Sequence, residues 1–220
     1  MRFLSFHLSR HPLHDRVLEH LRNNPDAGFL DAGCCVGQEL RYLSHQGIPG
    51  RQLFGLDLEQ PFIDLGYQLF QDKDRLDATF AIGNLIKDKD SEALTKSLGQ
   101  KIDVVFASSL LHLFNYETQL IVATRLVRLL RDRAGVMVVG RQLGSVYAGE
   151  YDLTGYDEGT MYRHNLESMK GLWHDVGQAT QTQWKVEAEL KVDETVLRNV
   201  DASWGDSNMR IIWWSASRIA

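Results

Sequence analysis

Residues 29–40 read FLDAGCCVGQEL, and this stretch decides which fold the rest of the chain predicts. A short apolar run ends at Asp31, glycines follow at Gly33 and Gly37, and a helical pattern begins directly afterwards. A strand that turns through glycines into a helix is the building unit of parallel α/β sheets, and ligands bind at such turns. The same stretch holds both cysteines of the chain, Cys34 and Cys35. Their adjacency raises three alternatives, which are redox chemistry, metal binding and a tight turn that needs small residues.

Length and composition limit the class of protein. A chain of 220 residues with 44% hydrophobic and 24% charged residues predicts one globular domain. The net charge of −5 argues against a broad nucleic-acid surface. No apolar run approaches the ~18 residues of a membrane helix, and the first residues lack the continuous apolar core of a signal peptide. We therefore expect a cytoplasmic protein without a nucleic-acid or membrane partner, and we leave its oligomeric state open.

The expected location bears on the two cysteines. Cytosolic thiols stay reduced, and a disulfide between neighbouring residues lies outside relaxed geometry. A zinc site needs about four ligands, and the chain has no further cysteine to supply them. We interpret Cys34 and Cys35 as small, uncharged turn residues, which would be sensitive to alkylation only if the helix dipole lowered a thiol pKa.

Apolar runs and amphipathic patterns alternate along the first two thirds of the chain. The helix that starts at Pro61 is expected to bury Phe62, Leu65, Leu69 and Phe70. Strict alternation indicates a parallel sheet covered by helices on both faces. The predicted strands are residues 27–31, 52–57, 79–82, 102–107 and 135–139, and the other predicted helices are residues 37–46, 92–98 and 116–130.

The pattern changes after residue 139. Residues 140–164 contain five glycines and show no periodicity, which is typical of a substrate loop or lid. Asn165 is expected to cap a helix, and the strand-like runs 184–190 and 209–217 are expected to pair antiparallel. The sequence thus predicts one α/β domain over residues 1–220, a Rossmann-like doubly wound, mostly parallel sheet with a C-terminal antiparallel strand.

The turn after the first strand indicates the ligand. Asp31, Gly33, Cys35 and Gly37 place a cysteine where a pyrophosphate-binding loop needs its second glycine. The spacing fits S-adenosylmethionine (SAM), with Asp31 near its cationic amino end and backbone close to it at both glycines. The remaining cofactor positions lie at the ends of the next three strands. Asp57 could accept the ribose hydroxyls and Asn84 the adenine amino group, and Leu58, Leu85 and Ser108 adjoin them.

Several longer stretches resemble the class I SAM-dependent methyltransferases, more narrowly the small fungal enzymes of secondary-metabolite clusters, including meroterpenoid pathways. The resemblance runs from about residue 3 almost to the C-terminus, and the doubled cysteine and the GRQ and MYRHN segments are its most specific parts. It implies methyl transfer to a small natural product, often at a carboxylate or hydroxyl oxygen. It is carried by FLDAGCCVGQELRYL, LFGLDLEQPFIDLGYQLFQDKD, SSLLHLFNYETQLIVATRLVRLL, VVGRQLGSVYAGE and GTMYRHNLESMKGLWHDVG.

The chain departs from this family in two places. Asn84 stands where the superfamily often has Asp, and an amide oxygen can still accept a hydrogen bond. Family members generally carry a further segment before the equivalent of MRFLSFHLSRHP that helps to cover the cofactor. A chain that begins there is expected to be truncated or to leave the site more open, which affects activity more than fold.

Candidate groups for the reaction follow the fourth and fifth strands and the glycine-rich stretch. His112 is the candidate base, and Arg141 or Arg163 could hold a substrate carboxylate in two hydrogen bonds. Tyr162 and His164 are further candidates for substrate contact. The alternatives are a hydrogen-bonded structural histidine, salt bridges to acids such as Glu150 or Asp157, and core packing.

Two other functions remain open on sequence grounds. One is a non-catalytic protein with a SAM-binding fold, and the other is an NAD-dependent oxidoreductase, against which the loop spacing argues. The spacing of His7, His11 and His14 does not predict a metal site, because Pro12 interrupts it and no carboxylate pattern accompanies it.

Overall fold

The computed structural model describes residues 5–152, 159–192 and 206–220, and these form a seven-stranded sheet flanked by helices. The order across the sheet is β3-β2-β1-β4-β5-β9-β8. Strands β1 to β5 of this sheet run parallel, and β9 runs antiparallel between β5 and β8, as predicted. Its strands are β1 (Gly28–Ala32), β2 (Leu53–Asp57), β3 (Thr79–Ile82), β4 (Ile102–Ser108), β5 (Met137–Ser145), β8 (Trp184–Lys191) and β9 (Met209–Arg218).

Helices cover both faces and bury an apolar layer on each. One layer joins α1 and α2 to β1, β4 and β5, and the other joins α4, α5 and α6 to the opposite faces of the same strands. Successive side chains of a strand point to opposite faces of the sheet, so Phe29 lies in the first layer and its neighbour Leu30 lies in the second. The helices are α1 (His14–Asn23), α2 (Gln38–His45), α3 (Gln60–Phe70), α4 (Asp88–Leu98), α5 (Tyr116–Leu129) and α6 (Leu166–Thr180).

The prediction of which face of α3 is buried is wrong. Phe62, Leu65 and Leu69 are each more than 40% exposed, whereas Ile63 and Gly66 are the buried residues of this helix. A Cβ atom at Gly66 would collide with the backbone carbonyl oxygen of Val36. The helix therefore packs through Ile63 and Gly66, with Gly66 against the turn that follows β1, while Phe62, Leu65 and Leu69 point outward.

The stretch predicted as a loop over residues 140–164 is largely β structure. Strand β5 continues to Ser145 and pairs with β9 along its whole length. A second, two-stranded sheet follows, formed by β6 (Gly149–Asp152) and β7 (Thr160–Arg163). The part of the predicted lid at residues 153–158 lies outside the described residues. As expected, the side chain of Asn165 accepts a hydrogen bond from the Ser168 N–H and caps α6.

Candidate active site

The turn between β1 and α2 lies where the strand order reverses between β1 and β4, which is where ligands bind in open α/β sheets. Gly33 and Gly37 have φ angles of +78° and +68°, which a glycine adopts without strain. Cys35 also has a positive φ, 49°, at the position where a glycine-rich loop would carry its middle glycine. Its N–H donates to Asp57 Oδ2 over 2.7 Å, so the carboxylate at the end of β2 holds the turn in place.

The two cysteines are free thiols, as the sequence predicts. Cys34 is buried, and burial is the main cause that raises its thiol pKa. The thiol pKa of the half-buried Cys35 is raised by burial as well. Because a thiolate is the reactive form, the structure does not support the expectation of alkylation-sensitive thiols at this turn.

A cavity of about 360 Å³ opens at the carboxyl ends of β1 to β4. It brings together six predicted cofactor positions, Gly33, Asp57, Leu58, Asn84, Leu85 and Ser108. Its apolar walls and the single carboxylate at its edge suit an adenosine group. The other lining residues are Leu56, Gly83, Ile86, Ser109, Leu110, Leu113, Phe114 and Val122.

Asn84 is already engaged in its own turn. Its Oδ1 accepts a hydrogen bond from the Ile86 N–H over 2.7 Å, and its own N–H donates to Asp90. A carbonyl oxygen has a second lone pair, so the contact with an adenine amino group stays a prediction that rests on that remaining position.

Two buried carboxylates lie beyond this cavity, and sequence reasoning identified only one of them. Asp31 at the end of β1 and Glu39 in the first turn of α2 are 3% and 2% exposed. Within the described part of the chain, Asp31 Oδ2 and Glu39 Oε2 have no hydrogen-bond partner. Burial first, then the charges of Glu39 and Asp57, raise the pKa of Asp31 well above its ordinary value. A cationic ligand would stabilise both ionised groups.

The first residues of the described chain reach the same place. The N–H groups of His7 and Leu8 donate to Glu39 Oε1, and His7 Nδ1 lies 3.1 Å from Ser108 Oγ. His7 thus bridges α2 and the end of β4. Glu39 was missed because an acid in a helix pattern predicts a solvated position, and His7 was missed because no local signal marks its contacts.

His112 follows β4, and Arg141 lies in the middle of β5, where it pairs with Ser108 at the end of β4 and at the edge of the cavity. Arg141 is buried, its Nη1 lies 3.4 Å from Ser109 Oγ, and its guanidinium lies 5.8 Å from the ring centre of Trp213. His112 is buried in the short 3₁₀ helix Leu111–Leu113. Burial, followed by the charges of Arg141 and Arg163, lowers the pKa of His112 to about 4. The imidazole is therefore neutral at pH 7.

The last two residues of the glycine-rich stretch, Arg163 and His164, have structural partners. Arg163 is buried, donates to Asp206 over 2.6 Å and stacks over Tyr151, so the salt-bridge alternative holds, with an acid other than the two expected ones. His164 lies in the core with both ring nitrogens at 3.0 Å from partners, Ser168 and Gln119. The structure therefore does not support substrate contact by His164 and gives Arg163 a charge partner.

Tyr162 contributes to packing as well. Its ring lies 5.1 Å from that of Tyr116 and 4.8 Å from that of His164, between centroids. Its N–H donates to the carbonyl of Phe114, which lines the cavity. Glu150, one of the acids considered for an arginine, instead accepts from the Tyr116 N–H, and Asp157 lies outside the described residues.

The three N-terminal histidines diverge rather than converge. His7 contacts Ser108, His11 Nε2 lies 3.1 Å from the Trp214 carbonyl, and His14 contacts Asp15 and Tyr42. Over residues 5–152, 159–192 and 206–220, no group of three or more His, Cys, Asp or Glu side chains could hold a metal ion. No helix in that part of the chain is long and apolar enough to cross a membrane.

Comparison with known proteins finds methyltransferases, both by family model and by sequence identity. A family model described as a methyltransferase domain matches residues 30–136. The O-methyltransferase phiE of Fungal sp. (strain ATCC 74256) is 42% identical over 214 residues, which are 94% of this chain and 70% of that protein. The O-methyltransferase atr3 of Stereocaulon alpinum is 35% identical over 189 residues, which are 86% of this chain and 54% of that protein. Both relatives therefore extend beyond the matched region.

Solved structures share the fold at low sequence identity. The magnesium protoporphyrin IX methyltransferase (ChlM) of Synechocystis PCC 6803, solved with bound SAM, aligns with a TM-score of 0.54 and 17% identity. The alignment covers 92% of this chain and 77% of that chain. It supports the fold, which the sheet order and the single antiparallel strand describe independently.

Proposed function

The chain belongs to the SAM-dependent methyltransferases, and from that premise we propose that it methylates a carboxylate oxygen of a small specialised metabolite. A hydroxyl oxygen is the second candidate acceptor. The observation that carries the choice is the buried pair of His112 and Arg141 beside the cavity.

The residues at the strand ends fit the cofactor. Gly33 and Gly37 bring backbone close to the crevice with positive φ angles, and Asp57 lies at the cavity edge where ribose hydroxyls would be accepted. The unpartnered oxygen of the buried Asp31 matches a cationic amino group. SAM supplies an activated methyl group on a sulfonium centre, so the protein has to align the acceptor and exclude water.

The acceptor chemistry follows from the state of His112. A phenol has an ordinary pKa of about 10 and needs a base, whereas a carboxylate is already ionised at pH 7. Because burial and the charges of Arg141 and Arg163 lower the pKa of His112 to about 4, its imidazole is a weak base for a phenol proton. Arg141 provides a buried positive charge at the same place, which favours an anionic acceptor.

The β6–β7 hairpin supports a further part of this proposal. The Tyr162 N–H donates to the carbonyl of Phe114, so β7 contacts a residue that lines the cavity. Glu150 of β6 accepts from the Tyr116 N–H at the start of α5, two residues further along the chain. We propose that residues 140–164 form one wall of the substrate cleft within a single domain. A cytoplasmic location and the lack of a nucleic-acid partner remain proposals from composition.

The test uses matched pairs of small aromatic and terpenoid acceptors that carry either a carboxylic acid or the corresponding alcohol. We expect methyl esters from the acids and no ether from the alcohols, measured by mass spectrometry with SAM as donor. Arg141→Met should lower kcat/KM for the acid by about 100-fold, since it removes a charged hydrogen-bond donor. Its affinity for SAM should remain that of the unchanged chain.

His112→Asn provides the control for the acceptor type. It retains a polar group but cannot act as a base, so a carboxylate acceptor should be methylated at nearly the original rate. A large loss of activity on alcohols, with ether formed by the unchanged chain, would contradict the choice of a carboxylate. SAM binding without transfer to any acceptor would favour the non-catalytic alternative, and binding of NAD instead of SAM would favour the oxidoreductase.

A further inference from the structure

Glu39 places a carboxyl group at a buried position of α2, beside apolar side chains. It is 2% exposed, and its neighbours Leu40 and Leu43 lie in the apolar layer between α1, α2 and the sheet. Burial of a carboxylate is unfavourable unless partners compensate it. The partners of Glu39 therefore indicate why an acid occupies this position.

One oxygen of Glu39 holds the start of the chain. Oε1 accepts the His7 N–H over 2.6 Å and the Leu8 N–H over 3.3 Å, at the beginning of the short 3₁₀ helix Leu8–Arg10. Leu8 is fully buried in the layer beneath, and His11 contacts the Trp214 carbonyl. We name residues 5–13 the N-terminal cover. The cover is thus fastened at Glu39, in the apolar layer and at β9.

The cover also contacts the cofactor cavity. His7 Nδ1 lies 3.1 Å from Ser108 Oγ, and Ser108 lines the cavity at the end of β4. The same residue therefore bonds to Glu39 through its backbone and to the cavity wall through its ring. The cover crosses from α2 to β4, on the side of the crevice where Asp31 and Glu39 lie.

The second oxygen of Glu39 lacks a protein partner. Glu39 Oε2 and Asp31 Oδ2 are buried and make no hydrogen bond to any residue that the structure describes. Burial raises the pKa of Glu39 to about 7, and the charge of Glu39 is the second cause, after burial, of the raised pKa of Asp31. Two interacting carboxylates with open oxygens complement a buried cation.

We propose that Glu39 is a positioning residue that couples closure of the N-terminal cover to the ammonium group of the bound SAM. One carboxylate oxygen fastens the cover, and the other shares the ammonium with Asp31. The inference rests on the cofactor of the proposed function. It predicts that the cover tightens only around a ligand that carries the ammonium group.

The experiment compares two ligands in calorimetric titrations of the whole chain. SAM carries the ammonium, and 5′-methylthioadenosine has the same adenosine and a thioether but lacks the amino acid. Glu39→Gln keeps an acceptor for His7 and removes the charge, so SAM affinity should fall about 10- to 100-fold. Affinity for 5′-methylthioadenosine should stay unchanged. Glu19→Gln, at an exposed position of α1, is the matched control and should change neither affinity.

Amide hydrogen exchange of His7 and Leu8 reports on the cover itself. SAM should slow their exchange in the unchanged chain and not in Glu39→Gln, while 5′-methylthioadenosine should not slow it in either. His7→Ala keeps both backbone donors and removes the ring together with its contact with Ser108. It should speed SAM dissociation, and it tests the cover even if Glu39→Gln does not fold.

Each contrary outcome has a distinct meaning. Equal weakening of both ligands by Glu39→Gln, or no weakening of either, would overturn the role of Glu39. Equal protection of His7 and Leu8 by both ligands would overturn the coupling to the ammonium. A folded, unchanged chain that binds neither ligand would refute the proposed function itself, which separates the two failures.

Discussion

Cys35 departs from the glycine pattern at the point where the turn is most constrained. Its φ of 49° is a conformation that disfavours side chains by about 1–2 kcal/mol, and its N–H donates to Asp57. We expect Cys35→Gly to retain SAM affinity, with a free energy of unfolding that is unchanged or up to about 1 kcal/mol higher. Cys35→Val should lower stability and affinity, because a β-branched residue resists this backbone and would displace the N–H from Asp57.

Urea unfolding and calorimetric titration check both variants of Cys35. Cys34→Ser is not a suitable control, because Cys34 is buried against Gly55. Cys35→Ala is the better one, since it keeps the strained backbone and removes only the thiol. A Cys35→Val protein that binds SAM as the unchanged chain does would show that the turn does not depend on this angle.

Glu39 should make the cofactor-free protein less stable at higher pH. Burial raises its pKa from 4.5 to about 7, so the folded state keeps a proton that the unfolded state releases in this window. Its contribution to the free energy of unfolding therefore falls as the pH rises from 4.5 through 7 and stays low above that. Glu39→Gln does not titrate, and we expect it to exceed the unchanged chain in stability by about 2–3 kcal/mol at pH 8.

Denaturant titrations between pH 5 and 8 measure this difference. The buried His112 and His164, whose pKa values are lowered to about 4, titrate in both proteins and cancel in the comparison. Asp31 does not cancel, because the charge of Glu39 contributes to its raised pKa, and its response adds to the difference in the same direction. Glu19→Gln should show no pH-dependent difference. A constant offset between Glu39→Gln and the unchanged chain across the range would show that Glu39 does not titrate there.

At the scale of elements, the sequence predicts strands that are buried on both faces, but it does not predict elements whose position depends on individual contacts. Strands buried on both faces give nearly continuous apolar runs, which made β1, β2, β4, β5 and β9 predictable. The edge strands β3 and β8 are partly exposed, and β8 alternates buried and exposed positions over much of its length. Helix α1 was not predicted, since Pro12 and three histidines obscure its start. Strands β6 and β7 have four residues each and form a separate two-stranded sheet, so their pattern is too short to predict them.

Helix α3 shows how one contact overrides an apolar pattern. At Gly66, a side chain would meet the carbonyl of Val36 in the cofactor turn. At Gly171 in α6, apart from the backbone of the helix itself, no atom of the described residues lies within 4 Å of the added Cβ. Gly66→Ala should lower the free energy of unfolding by about 1–3 kcal/mol and weaken SAM binding, because α3 has to move away from the turn. Gly171→Ala should raise the free energy of unfolding by about 0.5–1 kcal/mol, because alanine is favoured over glycine inside a helix by about this amount.

Chemical unfolding of the two alanine variants separates these effects, since both substitutions are glycine to alanine inside a helix. Calorimetry with SAM should show a change for Gly66→Ala alone. Stabilisation by both substitutions would mean that α3 tolerates the shift and that its close approach to the turn has no role in cofactor binding.

At the scale of the whole molecule, the parallel order explains how far the site was predictable. Asp57, Asn84 and Ser108 lie at the ends of different strands, and parallel pairing brings these ends to one edge of the sheet. Any residue placed directly after a strand was therefore predictable. The contacts of His164 and Glu39 were not predictable, because their partners lie in α5, α6 and the N-terminal cover. Contacts between residues distant in sequence leave no local pattern.

A ligand that joins several strand ends should stabilise the whole fold. At a SAM concentration of 100 times its Kd, linkage predicts about 2.7 kcal/mol of stabilisation, or roughly 5–10 °C in Tm for a chain of this size. NAD at the same concentration should give no shift, since Cys35 stands where a pyrophosphate needs a glycine and the adjoining carboxylates repel phosphate.

Asp57→Asn is the informative variant for this measurement, and the exposed Asp64→Asn on α3 is its control. Asparagine can still accept the Cys35 N–H, so the fold should persist, but the loss of a charged acceptor for the ribose should reduce the SAM shift strongly. Asp64→Asn should keep the full shift. A shift with NAD as large as that with SAM would contradict the cofactor assignment. A full SAM shift in Asp57→Asn would instead place the ribose elsewhere along the crevice, because the stabilisation depends on affinity and not on the fold alone.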